Sequence, residues 1–388
     1  MTANLRHAAG SLLVVGLAGA ELTGLERAWL KLVRPAGIIL FRRNINDARQ
    51  TRALLDDATA LCAPHSLRCV DVEGGAVDRL RDALAPMPSP RAVAMTAVLS
   101  SSAQQVRKNR ARGGSALMRE HGELIARGVQ AFGFNTTLAP VLDLALPTSA
   151  QVMGARAAAP DAPGAISYAR NFLAGLAAHH VVGCGKHFPG LGGGTLDSHL
   201  ETPAIDRTFD EIWRDDLAPY RELRGQLPMI MVNHAAYPGT PGRNRPASVS
   251  SFWIDSVLRG RIGYRGIIFS DDLEMGGILK FLPIGEAAVA AIRAGTDLVE
   301  ICHSPELILR AYEALIGEAE RSAAFRNLIL ARAGETARKR ARLFSRPLAP
   351  ALSAQRFESL RSRILRFGEN LAEPAADSAP AARKAANA

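Results

Sequence analysis

The chain has 388 residues, 48% hydrophobic and 22% charged, with a formal net charge of +10. These are ordinary globular proportions, which exclude a wholly disordered or fibrous protein, and the length admits one large α/β domain or two ordinary ones. The positive charge raises the question of an acidic partner, but Arg and Lys are scattered, no aromatic residues interleave them, and no nucleic-acid-binding module pattern occurs, so no nucleic acid is expected.

The first apolar run, Leu12 to Ala20, follows Arg6 and has the outline of a short signal-peptide core. It ends at Glu21 and leads into the amphipathic stretch Glu26 to Val33, and a buried strand feeding a helix accounts for both. No other apolar run approaches the roughly 20 residues that span a bilayer, so no membrane association is expected. Short aliphatic runs recur at Ser11–Leu17, Gly37–Phe41, Leu67–Val72, Asn135–Leu142, Val181–Lys186, Met229–Asn233, Gly266–Ser270 and Asp297–Cys302. Several are nearly continuous, as in parallel strands covered on both faces. Helical patterns lie between them, among them Asp47–Leu61, Ser115–Phe132, Ala165–His179, Phe209–Leu223, Ile254–Arg259 and Glu286–Ala294. Eight such units predict an α/β fold, a single-domain (β/α)8 TIM-type barrel, whose active site is built by the loops after the strands.

Ala85–Arg112, rich in Pro, Ser and Arg, is read as a surface excursion with a short helix. A terminal helix is expected from Glu318, and another over Gln355–Leu371. The densest basic run, Arg338-Lys339-Arg340-Ala341-Arg342, is read as the solvated face of a helix. From Ala372 the composition falls to Ala, Pro, Ser, Asp and Asn, which predicts a disordered tail. The expected division is therefore a barrel over 1–345, a C-terminal helical extension over 346–371 and a tail over 372–388. Cys62, Cys69, Cys184 and Cys302 form no C-x-x-C pair, which fits reduced thiols in a cytoplasmic protein and indicates no zinc site or disulfide scaffold.

The strand ends carry the chemistry. The apolar runs end in or near Arg42 and Asn44, Asp71 and Glu73, Asp143, Lys186 and His187, Asn233 and His234, Asp271 and Asp272, and His303. Any one could cap the following helix, but together they converge on one face of a barrel. The stretch KHFPGLGGGTLDSH, Lys186 to His199, raises three readings beside that of a plain surface loop. A phosphate loop would place its Lys after the glycines, and here Lys186 precedes them. A metal site would need His187, His199 and a carboxylate on rigid supports, which four glycines do not provide. A loop that moves over a substrate needs backbone freedom, and it would carry Asp197 and His199 at its tip. Two residues apart in an extended segment, they share a face, so the carboxylate can orient the imidazole for proton transfer. Asp271, in FSDDLEM, follows an apolar run and is expected to project into the barrel mouth, whereas Asp272 reads better as a helix cap. A fixed carboxylate facing a mobile acid is what a retaining glycoside hydrolase requires.

KHFPGLGGGTLDSH followed by FSDDLEM resembles the β-N-acetylglucosaminidase branch of glycoside hydrolase family 3, the single-barrel bacterial enzymes of cell-wall recycling. The similarity extends through GIILFRRN at 37–44, VDVEGG at 70–75, LAPVLDL at 138–144 and Pro246-Ala247-Ser248, covering about residues 11 to 303 in order. The resemblance implies that Asp271 is the nucleophile of a covalent glycosyl-enzyme intermediate, His199 the general acid/base and Asp197 its dyad partner. It further implies that Asp71, Arg79, Arg156, Lys186 and His187 bind substrate. That substrate is a terminal β-linked N-acetylglucosamine on a peptidoglycan-derived muropeptide, and no cofactor or metal is involved. A cytoplasmic monomer is expected.

Val72 and Ala76 stand where the family usually has Gln and Arg, and Leu191 and Gly193 where its loop has His and Asp. Around Arg156 the usual Arg-Ser-Phe-Gly becomes Arg156-Ala157-Ala158-Ala159. Loop length is unchanged, with His187 and His199 twelve apart. Alternatives are a β-glucosidase or phosphorylase of the same larger family, and a sugar-binding barrel without turnover. Retention of Asp271, Asp197 and His199 argues against the last.

Overall fold

The computed structural model describes residues 2–100, 113–194 and 203–372. The barrel strands are β1 (Leu13–Gly16), β2 (Gly37–Leu40), β3 (Leu67–Val70), β6 (Thr136–Thr137), β7 (Val182–Phe188), β8 (Met229–Val232), β9 (Ile267–Asp272) and β10 (Leu298–Ile301). Between β3 and β6 a short antiparallel pair, β4 (Val72–Gly74) and β5 (Val77–Asp78), stands on the barrel rim. The eight strands close in chain order, β10 pairing β1, and every neighbouring pair is parallel. This is the predicted (β/α)8 barrel, and each expected apolar run supplies one of its strands. The N-terminal run forms β1, and Thr23 caps the helix that follows, accepting from the Glu26 amide while Glu26 accepts from the Thr23 amide.

The lumen is filled from all sides by Val14, Ile39, Leu67, Cys69, Val182, Cys184, Met229, Met231, Ile267, Phe269, Leu298 and Cys302, with a larger core between sheet and helices. Two register irregularities interrupt an otherwise regular ladder. Gly185 pairs Ile230 while Phe188 pairs Val232, and Phe269 pairs Leu298 while Asp272 pairs Glu300. One extra residue is thus accommodated in β7 at Lys186–His187 and one in β9 at Ser270–Asp271. Such bulges bend a strand and re-aim its side chains.

Several local expectations change. The helix expected over Phe209–Leu223 is two, Phe209–Arg214 and Ala218–Leu223, because Pro219 sits in the first turn of the second and lacks an amide to continue the first. Ile254–Arg259 lies inside a π-helical segment, Phe252–Arg261. The pattern from Glu318 breaks at Ser322, which ends the helix Pro305–Arg321 and caps Ala323–Leu343 by accepting from the Phe325 amide. The excursion contains the helix Pro90–Ser100, and the expected tail falls almost wholly outside the described residues. No helix among the described residues is long and apolar enough to cross a membrane.

The basic run is not simply a solvated face. Arg340 is 1% exposed and donates to the carbonyl of Pro64 at 2.9 Å, so the end of the terminal helix plugs the barrel floor opposite the mouth. Beside it the buried Asp297 carboxylate gathers Arg259 at 2.6 Å, Arg332 at 2.8 Å and Lys339 at 3.3 Å. The helix Ala354–Glu369 docks on Gly114–Ala131 through Arg363–Glu120 at 2.8 Å and Phe357 against Phe132. Burial works to raise the Asp297 carboxyl, and its three cations overcome this to hold it below the usual range. Its stabilising contribution is therefore present above the unfolded value near 4 and lost as pH falls through the folded one. Asp297→Ala strands three cations and is expected to destabilise the fold by about 3–5 kcal/mol, measured by urea unfolding at pH 7; the difference should shrink at acid pH.

Candidate active site

The strand ends meet in one buried ionic chain. Lys186, from the bulge in β7, donates to Asp71 at 2.7 Å and approaches Glu73 of β4 at 2.6 Å. Glu73 is 1% exposed and is also gripped by Arg156 through two parallel hydrogen bonds of 2.8 and 2.9 Å, the geometry that favours a guanidinium over an ammonium. Arg156, on the turn Gly154–Arg156, reaches onward to His187 Nε2 at 3.3 Å. His187 Nδ1 lies 2.6 Å from Asp143 Oδ2. Because Arg156 can only donate, Nε2 is the acceptor there and Nδ1 carries the proton toward Asp143. The chain therefore runs Asp71, Lys186, Glu73, Arg156, His187, Asp143.

Burial alone would raise the Glu73 carboxyl, but Arg156 and then Lys186 hold it well below the usual carboxylate range. Conversely, burial would lower Lys186, and Asp71 and Glu73 push it above its ordinary value. Glu73 reaches this position because Gly74 follows it with φ +98°, where a Cβ would lie 2.0 Å from the Pro88 carbonyl oxygen. Asp143 also accepts from the His187 amide at 3.1 Å and the Leu191 amide at 2.7 Å. Asn233 donates to the His187 carbonyl at 2.9 Å, so the bulge is fixed from both sides.

Across the mouth, Asp271 leaves the bulge in β9 half-buried, with Oδ1 accepting from the Asp272 amide at 3.0 Å. Ser270 Oγ fills the gap in the ladder by accepting from the Glu300 amide at 3.1 Å. His234 Nε2 donates to the Asp272 carbonyl at 2.9 Å, and its Nδ1 accepts from Ser248 at 2.7 Å. Asp272 is not the expected helix cap, because the next helix, Gly276–Leu279, has Met275 at its N-cap; it accepts from the Glu274 amide at 3.0 Å, closing an Asx turn, and is pushed up to about 7 by burial and by Glu274. Asp272, Glu274 and His303 are the one cluster of three His, Cys or carboxylate side chains close enough to share an ion among the described residues. The Glu274 oxygens are committed to the amides of Cys302, His303 and Ser304, so this grouping serves to cap a turn. Arg79 lies at the rim, its amide donating to the Asp71 carbonyl at 3.0 Å and its guanidinium 5.5 Å from the Phe41 ring, which Arg43 also covers at 4.8 Å.

Six of the eight singled-out residues thus gather at the mouth: Asp71, Arg79, Arg156, Lys186, His187 and Asp271. Asp197 and His199 lie outside the described residues, which resume at Pro203. The flanks are anchored: Leu191 by Asp143, the Gly192 carbonyl by Thr148 at 3.1 Å, and Arg207 by Asp215 and Asp216. Glu73 and Asp143 were visible only as polar strand ends. Their importance comes from side chains far away in sequence.

A closed parallel barrel with carboxylates and buried cations at the carboxyl ends of its strands has the architecture of a barrel enzyme, whose active site lies on that face. The family model for the glycosyl hydrolase family 3 N terminal domain matches residues 5–328, and the chain belongs to that family. A β-hexosaminidase of Alkalilimnicola ehrlichii is 39% identical over 297 residues, covering 76% of this chain and 82% of the relative. One from Xanthomonas campestris pv. campestris is 34% identical, covering 82% and 92%. Among solved structures, a family 3 β-N-acetylglucosaminidase from Paenibacillus superposes with a TM-score of 0.80 at 29% identity, over 94% of this chain and 68% of that one. NagZ from Neisseria gonorrhoeae in complex with N-trifluoroacetyl-D-glucosamine gives 0.69 at 29%, over 84% and 97%. The protein is a glycoside hydrolase whose relatives are the β-hexosaminidases of this family.

Asp143→Asn replaces an acceptor of three N–H groups with a side chain that has one acceptor oxygen. It is expected to lower stability by about 1–3 kcal/mol and to weaken turnover, measured by thermal melting and steady-state kinetics side by side.

Proposed function

We propose that this chain is a retaining exo-β-N-acetylhexosaminidase that releases terminal, non-reducing β-linked N-acetylglucosamine, with peptidoglycan-derived muropeptides as the natural substrate class. Asp271 attacks the anomeric carbon while His199, oriented by Asp197, protonates the leaving oxygen. In the second step His199 takes a proton from water as that water's oxygen displaces Asp271 from the sugar. Asp71 accepts from sugar hydroxyls, and Lys186, Arg156, His187 and Arg79 hold the remaining polar edge of the ring.

The observation that carries this reading is the pairing of two bulged strands: one aims Asp271 into the mouth, and the other presents Lys186 and His187 from the ionic chain. Ion-paired groups lose little freedom when a sugar binds, so contacts made to it can favour the transition state. The catalytic unit is the barrel over 1–345, with the 346–371 extension docked on its flank. A cytoplasmic location accords with the four buried, free cysteines; the chain is taken as a monomer, which light scattering of the purified protein tests.

The deciding experiment is release of aryl aglycone from matched β-N-acetylglucosaminide and β-glucoside substrates. Strong preference for the N-acetyl sugar is expected; folded protein that binds the sugar and turns over neither substrate would favour the sugar-binding alternative. Asp271→Ala is expected to abolish turnover with an unchanged melting temperature, and retained activity would remove it as nucleophile. His199→Ala is expected to slow substrates with basic leaving groups by about 10²–10⁴ while activated aryl glycosides lose far less. Equal losses would argue against the acid role.

A further inference from the structure

The mechanism above leaves one carboxyl in the barrel without a task. On β10 the side chains of Leu298, Glu300 and Cys302 share a face, and Leu298 and Cys302 belong to the lumen cluster. Glu300 is therefore a carboxyl inside the lumen, one layer below the mouth and 2% exposed. It lies in register with Val14 of β1 and Asp272 of β9. Its backbone is fully used, the amide on Ser270 Oγ and the carbonyl on the Leu273 amide at 2.9 Å. Its side chain is not: Oε1 is buried with no hydrogen-bond partner among the described residues. An apolar residue would fill such a lumen position without leaving an orphan polar atom.

The groups that face it explain how it is tolerated. Asp271 and Asp272 bear on it from β9, Asp71 from beyond β3, and Lys186, the one cation among them, from β7. The nearby lumen thiols of Cys69, Cys184 and Cys302 are pushed up by burial and stay neutral, and Val14 on β1 offers nothing titratable. Burial first, and then the three carboxylates, raise Glu300 well above the usual range. Glu300 is the most enclosed of these carboxyls, so its charged form is the one that burial disfavours most.

We infer that Glu300 is a positioning residue that carries a proton beneath the nucleophile and stabilises Asp271 in its ionised form. The inference rests on the reading of Asp271 as nucleophile. When Asp271 bonds to the anomeric carbon, its charge is lost into an ester. When water's oxygen takes that carbon, the ester C–O bond breaks with its electron pair going to Asp271, and the water proton goes to the acid/base. A neutral donor below the carboxylate favours its return, and an ionised Glu300 opposes it. Glu300 therefore assists the second step most.

The test uses Glu300→Leu, which removes the donor, and Glu300→Gln, which keeps a neutral one, each assayed with an activated aryl N-acetylglucosaminide. Glu300→Leu is expected to lower kcat and KM together by about tenfold or more, with kcat/KM nearly kept and a burst of aglycone in the first turnover. Glu300→Gln should restore kcat at neutral pH and hold it to higher pH than the natural protein. Because the folded value is raised, the natural protein loses stability as pH climbs from the unfolded Glu value near 4.3 toward the folded one. Both variants should therefore melt progressively higher than it over that window. Unchanged kcat, KM and pH profile in both variants would overturn the inference, as would a fall in kcat at unchanged KM that Gln does not restore. If Glu300→Leu does not fold, the pH profile of Glu300→Gln decides alone. An inactive Asp271→Ala beside unaffected Glu300 variants removes only the role of Glu300, whereas an active Asp271→Ala removes the nucleophile beneath it.

Discussion

A single buried carboxylate, Glu73, shared between Lys186 and Arg156, is the constraint on which the mouth of this barrel depends. Two cations cannot be held in so enclosed a place unless a fixed anion meets them. Glu73 does so from a strand outside the barrel ladder, with the turn at Gly74 bringing it close to Pro88. The consequences spread outward along the chain of contacts. Lys186 is left facing Asp71, Arg156 sets the acceptor side of His187, and Asp143 takes its proton side. Each group reaches the mouth already oriented, so the orientation does not have to be created when substrate arrives.

The second constraint is geometric. A regular parallel barrel presents alternate residues to its lumen, and neither β7 nor β9 keeps that alternation to its end. The extra residues at Lys186–His187 and Ser270–Asp271 break the ladder where polar groups must turn toward the mouth. Each break is repaired by a side chain, Asn233 on the His187 carbonyl and Ser270 on the Glu300 amide. The same repair ties β10 to the strand that bears Asp271, which places the Glu300 carboxyl beneath it.

The sequence made the barrel legible because parallel strands with helices outside and a packed lumen inside are apolar on both faces. Eight such runs separated by amphipathic helices leave few other folds. Polar residues at the strand ends marked the mouth for the same reason, since only there can such a strand meet water or substrate. Finer features were hidden. Arg340 sits in a run of like charges and reads as solvated until the floor of the barrel is seen to need a donor for its open carbonyls. The break at Ser322 is written in a serine that also suits a helix surface. Glu300 could have been noticed as the one acid between apolar neighbours in β10, but alternation alone does not say which face is the lumen.

By itself the sequence determined the eight barrel strands, their order and the polar residue types that stand at their ends. These follow from local pattern and from residue types whose chemistry does not depend on where they lie. Only the tertiary structure decided which charges meet. Asp71 and Lys186 are 115 residues apart, and Glu73 and Arg156 are 83 apart. Whether such groups pair, and what protons they carry, depends on burial and on distances of a few ångströms, which exist only once the barrel has closed.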